Sequence, residues 1–175
     1  GPTLLHLPGR RAEPLFVSVL LHGDETGGLR AIQQVLTEHR DRELPRALSV
    51  FFGNVQAGRA QVRRLDTQPD FNRAWPGCVT DAGPVGALLA QVFEAMRERR
   101  PFASIDLHNN SGRNPYFACI TRTDNAMLQL AALFSRTVVL FHRPLGTAGG
   151  AFSTLCPAVA CECGQAGDDQ GAAHA

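Results

Sequence analysis

Short, continuous apolar runs separated by amphipathic stretches constrain this chain more than any other feature. Leu15–Leu21 (LFVSVLL), Ala47–Phe52 (ALSVFF), Phe102–Leu107 (FASIDL), Thr137–Phe141 (TVVLF) and Ala158–Cys163 do not alternate polar with apolar. That pattern belongs to strands covered on both faces. Tyr116–Ile120 is a further candidate strand. Between the runs lie helical spacings. Leu29, Ile32, Val35 and Leu36 recur within Glu25–Glu38, and Val85, Leu88, Leu89, Val92, Phe93 and Met96 recur within Gly83–Arg99. A third helix is expected over Asp124–Phe134, with Asp124 as its N-cap. Arg97, Arg99 and Arg100 suit the negative end of the second helix dipole. Strands alternating with helices predict an α/β fold, a mixed and mostly parallel sheet flanked by helices on both faces. Gly53–Gly77 is expected to be a long irregular segment and Pro144–Ser153 a Gly-rich loop.

In such sheets ligands bind at the carboxyl ends of strands, and polar residues gather there. His22-Gly23-Asp24-Glu25 follows the first long run, Asn54 the second, and His108 the third. Two imidazoles and a carboxylate are the ligand set of a catalytic zinc that keeps one open position, so His22, Glu25 and His108 form a candidate metal site. The same donors also accept Co²⁺ or Mn²⁺. Asp106 shares a strand face with His108. It either orients that imidazole or pairs with an arginine. Within the Arg-rich segment, Asn72-Arg73 is a candidate clamp for a substrate carboxylate, and Arg63 a candidate for polarising a carbonyl and holding its oxyanion. On local grounds the segment is equally a solvated loop. Glu162 lies in an apolar strand, where an acid is costly unless it is paired or functional. Burial there would raise its pKa toward that of a general base working near neutrality.

Bulk composition narrows the partners. A length of 175 residues suits one domain. A net charge of +1, with scattered arginines, argues against a nucleic-acid or anionic-membrane surface. No apolar run approaches membrane-spanning length. The five cysteines lack metal-ribbon or redox spacing. Cys161 and Cys163 fall on one face of their strand and Glu162 on the other. All five are expected to be reduced and mostly buried, which suits a cytoplasmic protein.

Six motifs appear in order: His22-Gly23-Asp24-Glu25; Gly53-Asn54; Arg63 with Asp66; Asp70-Phe71-Asn72-Arg73-Ala74-Trp75-Pro76-Gly77; Asp106-Leu107-His108; and Cys161-Glu162-Cys163-Gly164. The series resembles the succinylglutamate desuccinylase/aspartoacylase family, a branch of the zinc carboxypeptidase clan, and spans almost the whole chain. The resemblance implies a zinc-carboxypeptidase-like fold with one Zn²⁺ on His22, Glu25 and His108. It makes Arg63 the carbonyl-polarising group, Asn72 with Arg73 the carboxylate grip, and Glu162 the catalytic carboxylate. Two departures stand out. The approach Asp66–Asp70 is longer than the family's usual Asp-Leu-Asn-Arg, so Arg64 competes with Arg63, and Phe71 replaces the usual Leu. The expected activity is zinc-dependent hydrolysis of the amide of an N-acyl amino acid, a small substrate carrying a carboxylate. A zinc carboxypeptidase, a peptide amidase and a non-catalytic zinc-binding module are the alternatives. The chain is expected to be a single catalytic zinc-hydrolase domain over residues 1–175, with the C-terminal β-rich domain that many relatives carry either absent or cut off.

Overall fold

Seven strands form one sheet in the order β1-β3-β2-β4-β7-β5-β6. The strands are β1 (Thr3–Leu7), β2 (Leu15–Val19), β3 (Leu48–Phe52), β4 (Ala103–Asn110), β5 (Phe117–Ile120), β6 (Val138–Leu140) and β7 (Ala158–Gln165). The helices are α1 (Gly27–Glu38), α2 (Val55–Ala60), α3 (Gly83–Arg99), α4 (Asn125–Phe134), α5 (Ala148–Phe152) and α6 (Asp169–His174). This computed structural model describes all residues except Val79, Thr80 and Asp168, together with the side chain of Asp169. The centre of the sheet is parallel: β2 pairs with β3 and β4, and β4 with β7. The edge strand β1 runs antiparallel to β3, and β5 runs antiparallel to β7 while pairing parallel with β6.

Pleat alternation distributes β2 between two helical layers. Val19 faces α1, whose backbone lies so close that a Cβ on Gly28 would come within 2.6 Å of the Leu107 Cβ and 3.2 Å of a Val19 methyl. Phe16 faces the other way and stacks on Phe152 of α5 at 4.3 Å between ring centroids. Phe152 in turn meets Trp75 and, from α3, Phe93. Trp75 is fully buried, a position where truncation to alanine typically costs about 3–5 kcal/mol. On the α1 side, α6 packs beside α1, and its His174 meets Phe134 of α4. The sheet is therefore mixed, mostly parallel and covered on both faces.

Gly83–Arg99 is helical over the expected range, and Asp124 caps α4 by accepting a hydrogen bond from the Met127 N–H at 2.9 Å. Elsewhere the structure departs from the sequence expectation. Gly53–Gly77 is not irregular throughout. It holds α2, capped by Asn54, and a 3-10 turn at Phe71–Arg73, capped by Asp70. Pro144–Ser153 likewise contains α5, capped by Thr147. Both helices are too short for an apolar period to reveal them; caps and tertiary packing define them instead. β4 runs three residues and β7 two residues beyond the apolar run, into sequence that the sheet pairs all the same. β2 ends earlier than expected. Leu20 adopts φ 60°, a left-handed conformation that is sterically unfavourable for a bulky residue. Its carbonyl accepts from Asn54 N–H, and the Val19 carbonyl from Gly53 N–H. The chain thus leaves β2 sharply and delivers His22 to the sheet's carboxyl edge.

Candidate active site

His22 and Glu25 are set by a tight turn, with the Glu25 N–H donating to the His22 carbonyl at 3.3 Å. Two contacts hold that turn in place. Gly23 N–H donates to the Arg63 carbonyl, and α2 presses against Gly23 so closely that a Cβ there would overlap the Ala57 backbone at 2.2 Å. His108 arrives from β4. The Nδ1 atoms of both imidazoles face Glu25: His22 Nδ1 lies 2.8 Å from Oε1 and His108 Nδ1 2.7 Å from Oε2. All three side chains are buried, and one donor atom from each lies within 4.8 Å of the others.

A carboxylate backs each imidazole from behind. Asp70 Oδ1 lies 3.0 Å from His22 Nε2, and Asp106 Oδ2 lies 2.7 Å from His108 Nε2. Asp106 also accepts from Ser18 Oγ–H at 2.7 Å. Of the two roles open to Asp106, the structure shows the orienting one. Each ring thus sets its Nε2 against a carboxylate and turns its Nδ1 toward Glu25, the carboxylate–histidine arrangement typical of metal ligands. Electrostatics agree. Burial would lower the His22 pKa, but hydrogen bonds to Asp70 and Glu25 outweigh it, and the value rises. His108 rises well above its ordinary value because the charges and hydrogen bonds of Asp106 and Glu25 overcome its burial. Burial would raise Glu25, yet the two histidines hold its carboxyl down to about 2. Three carboxylates around two imidazoles thus draw positive charge into the centre. A divalent cation bound through two nitrogens and one oxygen fits that donor set.

The centre opens into a cleft of about 490 Å³ that also holds Arg63, Arg73, Asn72 and Glu162. Arg63 reaches Glu25 at 3.4 Å and Asp70 at 3.2 Å. Arg64 bonds to the Gln68 carbonyl instead and does not line the cleft. Arg73 is exposed, with its guanidinium anchored on the Asn72 carbonyl. Asn72 is buried and internally engaged. Its Oδ1 accepts from Ala148 N–H, and its Nδ2 lies 2.9 Å from His108 Nε2 and 3.4 Å from Asp106. Of the expected pair, Arg73 has no ion-pair partner among the described residues, while Asn72 ties α5 to the His108 environment. Glu162 sits directly across the β4–β7 ladder from His108. Among the described residues it has no hydrogen-bond or ion-pair partner. Burial, then the negative charges of Glu25 and Asp106, raise its pKa against the opposing pull of His108.

Two contributors escaped the sequence reading. Asp70 stands two residues before the conspicuous Asn72-Arg73, and its pattern alone gives no hint of His22, 48 positions away. Asn109 follows His108 on the opposite pleat face. Its N–H donates to Glu25 Oε2, its Oδ1 accepts from Gly27 N–H at the start of α1, and its Nδ2 donates to the Cys163 and Gly164 carbonyls. Its place beside a ligand was the available signal. The five cysteines are all free thiols, three of them buried. Among the described residues no helix is long and apolar enough to cross a membrane.

The family pattern of the succinylglutamate desuccinylase/aspartoacylase catalytic domain matches residues 13–170. The chain belongs to this family. The family is one of deacylating hydrolases. Solved structures share the fold. A succinylglutamate desuccinylase from Chromobacterium violaceum superposes with a TM-score of 0.78 at 24% identity, over 97% of this chain and 62% of that one. The product-bound ectoine utilization protein from Ruegeria pomeroyi gives 0.76 at 18%, over 98% and 56%. A putative metallopeptidase from Shewanella amazonensis gives 0.73 at 15%, over 98% and 78%. The chain thus spans less than two thirds of the length of the first two. No curated protein sequence matches it.

Proposed function

We propose that this chain is the catalytic unit of a zinc-dependent hydrolase that cleaves the amide bond of an N-acyl amino acid. One observation carries the reading. Both Nδ1 atoms converge on the two oxygens of Glu25 in a cleft that also contains Glu162 and Arg73, neither with an ion-pair partner among the described residues. When bound by His22, Glu25 and His108, a zinc ion supplies Lewis acidity, polarising a carbonyl and lowering the pKa of a coordinated water toward ~7.

The chain's own side chains divide the remaining work. Arg73 binds the substrate carboxylate, placing the scissile amide between the metal centre and Glu162. Arg63, held against Glu25 and Asp70, presents its guanidinium to the oxygen of the tetrahedral adduct. Glu162 takes a proton from the attacking water on its free carboxylate. It then returns that proton to the leaving nitrogen, so its oxygens must stay unpaired in the resting protein. Asp70 and Asp106 keep both imidazoles oriented throughout.

The peptidase alternative calls for a tyrosine in the cleft. The only one, Tyr116, stacks on His174 at 4.2 Å and does not line the cleft, which supports the deacylase reading. The test combines metal analysis with a hydrolysis screen of N-acyl amino acids against short peptides. One zinc per chain and turnover of N-acyl amino acids are expected. Turnover confined to peptides would sink the reading, and so would a protein that binds no metal.

A further inference from the structure

The cleft does not end at Glu162, and what lies beyond bears on the substrate. β7 runs between β4 and β5, and its residues Ala160, Cys161 and Glu162 face a partner on either side. Glu162 stands between His108 and Phe117, and Ala160 between Asp106 and Cys119. A step of two residues stays on the same face of a strand, so Ala160 and Cys119 continue the floor below Glu162, and Thr121 follows Cys119 on that face. Phe141, Pro144, Thr147 and Gly149 wall this recess. It is open because its key positions are small. Ala160 contributes a single methyl, and a Cβ placed on Gly149 would meet no atom within 4 Å.

The wall is fixed to the carboxylate-binding segment. Ala148 N–H donates to Asn72 Oδ1 at 2.9 Å, and Trp75 N–H to the Gly146 carbonyl at 3.1 Å. A substrate whose carboxylate sits on Arg73 and whose leaving nitrogen faces Glu162 therefore directs its Cα substituent into the recess. The cations lining the cleft among the described residues are Arg63 and Arg73; Arg63 is engaged by Glu25 and Asp70, and Arg73 is taken by the substrate carboxylate. Arg122 follows Thr121 but opens onto the neighbouring hollow with His142, its Nε bonded to Asp124 at 2.6 Å. The nearest charges to the recess floor are negative, Glu162 and Asp106. A carboxylate there would be buried beside like charge, with no further cation among the described lining residues to balance it. Among the described residues, the buried polar atom without a partner on this wall is the neutral Thr121 hydroxyl.

Resting on the amide-hydrolase reading above, we propose that this recess receives the side chain of the released amino acid and selects an uncharged one, an aliphatic, thioether or amide group. Glutamate, aspartate and lysine are excluded.

The test uses the zinc-loaded protein. Hydrolysis of N-acetyl derivatives of Met, Leu, Gln, Gly, Asp, Glu and Lys is compared with that of N-succinyl-glutamate. Binding of free Met and Glu is measured by calorimetry. The neutral long side chains are expected to exceed the charged ones in kcat/KM by at least about tenfold, the scale on which pocket fit discriminates. Ala160→Leu fills the floor and is expected to lower the Met-to-Gly ratio of kcat/KM by at least tenfold. Gly149→Val, which enters free space, serves the same purpose if Ala160→Leu misfolds. Fastest turnover of an acidic or basic derivative overturns the proposal and leaves the hydrolase reading standing. So does a Met-to-Gly ratio that neither variant moves. If nothing is hydrolysed but Met binds, Glu does not and Ala160→Leu abolishes the binding, the recess stands and the hydrolase reading falls. If nothing is hydrolysed and neither amino acid binds, both are overturned.

Discussion

Glu162 and Arg63 differ in how far the protein already occupies them, and that difference sets what their variants should show. Glu162 has no partner to lose, so Glu162→Gln is expected to leave the metal content at one per chain. Turnover is expected to fall by about 10²–10⁴, the usual contribution of a positioned general base. Elemental analysis beside an initial-rate assay checks both, and a metal-loaded Glu162→Gln protein that still turns over would remove the base. Arg63 is expected to lose about 10²–10³ in kcat on replacement by alanine, whereas Arg64→Ala stays near the parent. The sequence left these two neighbours undecided. Only the fold shows that one points to Glu25 and Asp70 and the other to the Gln68 carbonyl. The convergence of His22, Glu25 and His108 was legible because strand ends and residue type suffice to mark it. Asp70 and Asn109 were not, because their significance lies in partners brought close by tertiary contact alone.

Short capped elements carry the site, and caps are where they are open to attack. Asn54 ends β3, caps α2 by accepting from Ala57 N–H and is almost wholly buried. Asn54→Ala is expected to cost about 1 kcal/mol, visible as a lower denaturant midpoint. Asp124 caps α4 at the surface. The hydrogen bond from Met127 N–H, then the Arg122 guanidinium, hold its carboxyl below the usual value. A carboxyl whose folded pKa is depressed contributes stability in full above the unfolded value, and the contribution fades as pH falls through the folded one. Asp124→Asn keeps a capping side chain but not the charge. Its Tm deficit at pH 7 is expected to close as pH drops below about 4; a deficit constant down to pH 2.5 would contradict this. α1, α3 and α4 were legible in sequence because each is long enough to show a period. α2 and α5 were not, since Gly58 lies within one, and Gly149 and Gly150 within the other. β1 also went unseen; it gains its place only by pairing with β3.

At the scale of the molecule, the candidate metal site joins elements distant in sequence: the β2–α1 turn, β4, and the segment carrying Arg63 and Asp70. Filling it should stabilise the whole sheet edge. A ligand that binds only the folded state at a hundredfold excess over Kd contributes about 2.7 kcal/mol, on the order of 5–10 °C in Tm for a chain of this size. A chelator is expected to lower Tm by that amount in the parent and to change nothing in His108→Ala, as calorimetry would show. The layered α/β architecture was legible because strands buried on both faces leave continuous apolar runs. The cleft was not, since Ala160 and Gly149 mark a space only when their neighbours are known.

The ladder that sets Glu162 opposite His108 also sets Cys161 opposite Leu107. Side-chain direction in a strand flips with every residue, so the proposed catalytic carboxylate is addressed by odd-or-even position as much as by identity. A single-residue deletion early in β7 that kept the remaining pairing frame would turn a thiol toward the reacting bond and seal the carboxylate under α4 and α6. Length in this strand is therefore under tighter constraint than side-chain size. A deletion scan through Ala158–Cys161 should prove harsher than any substitution there.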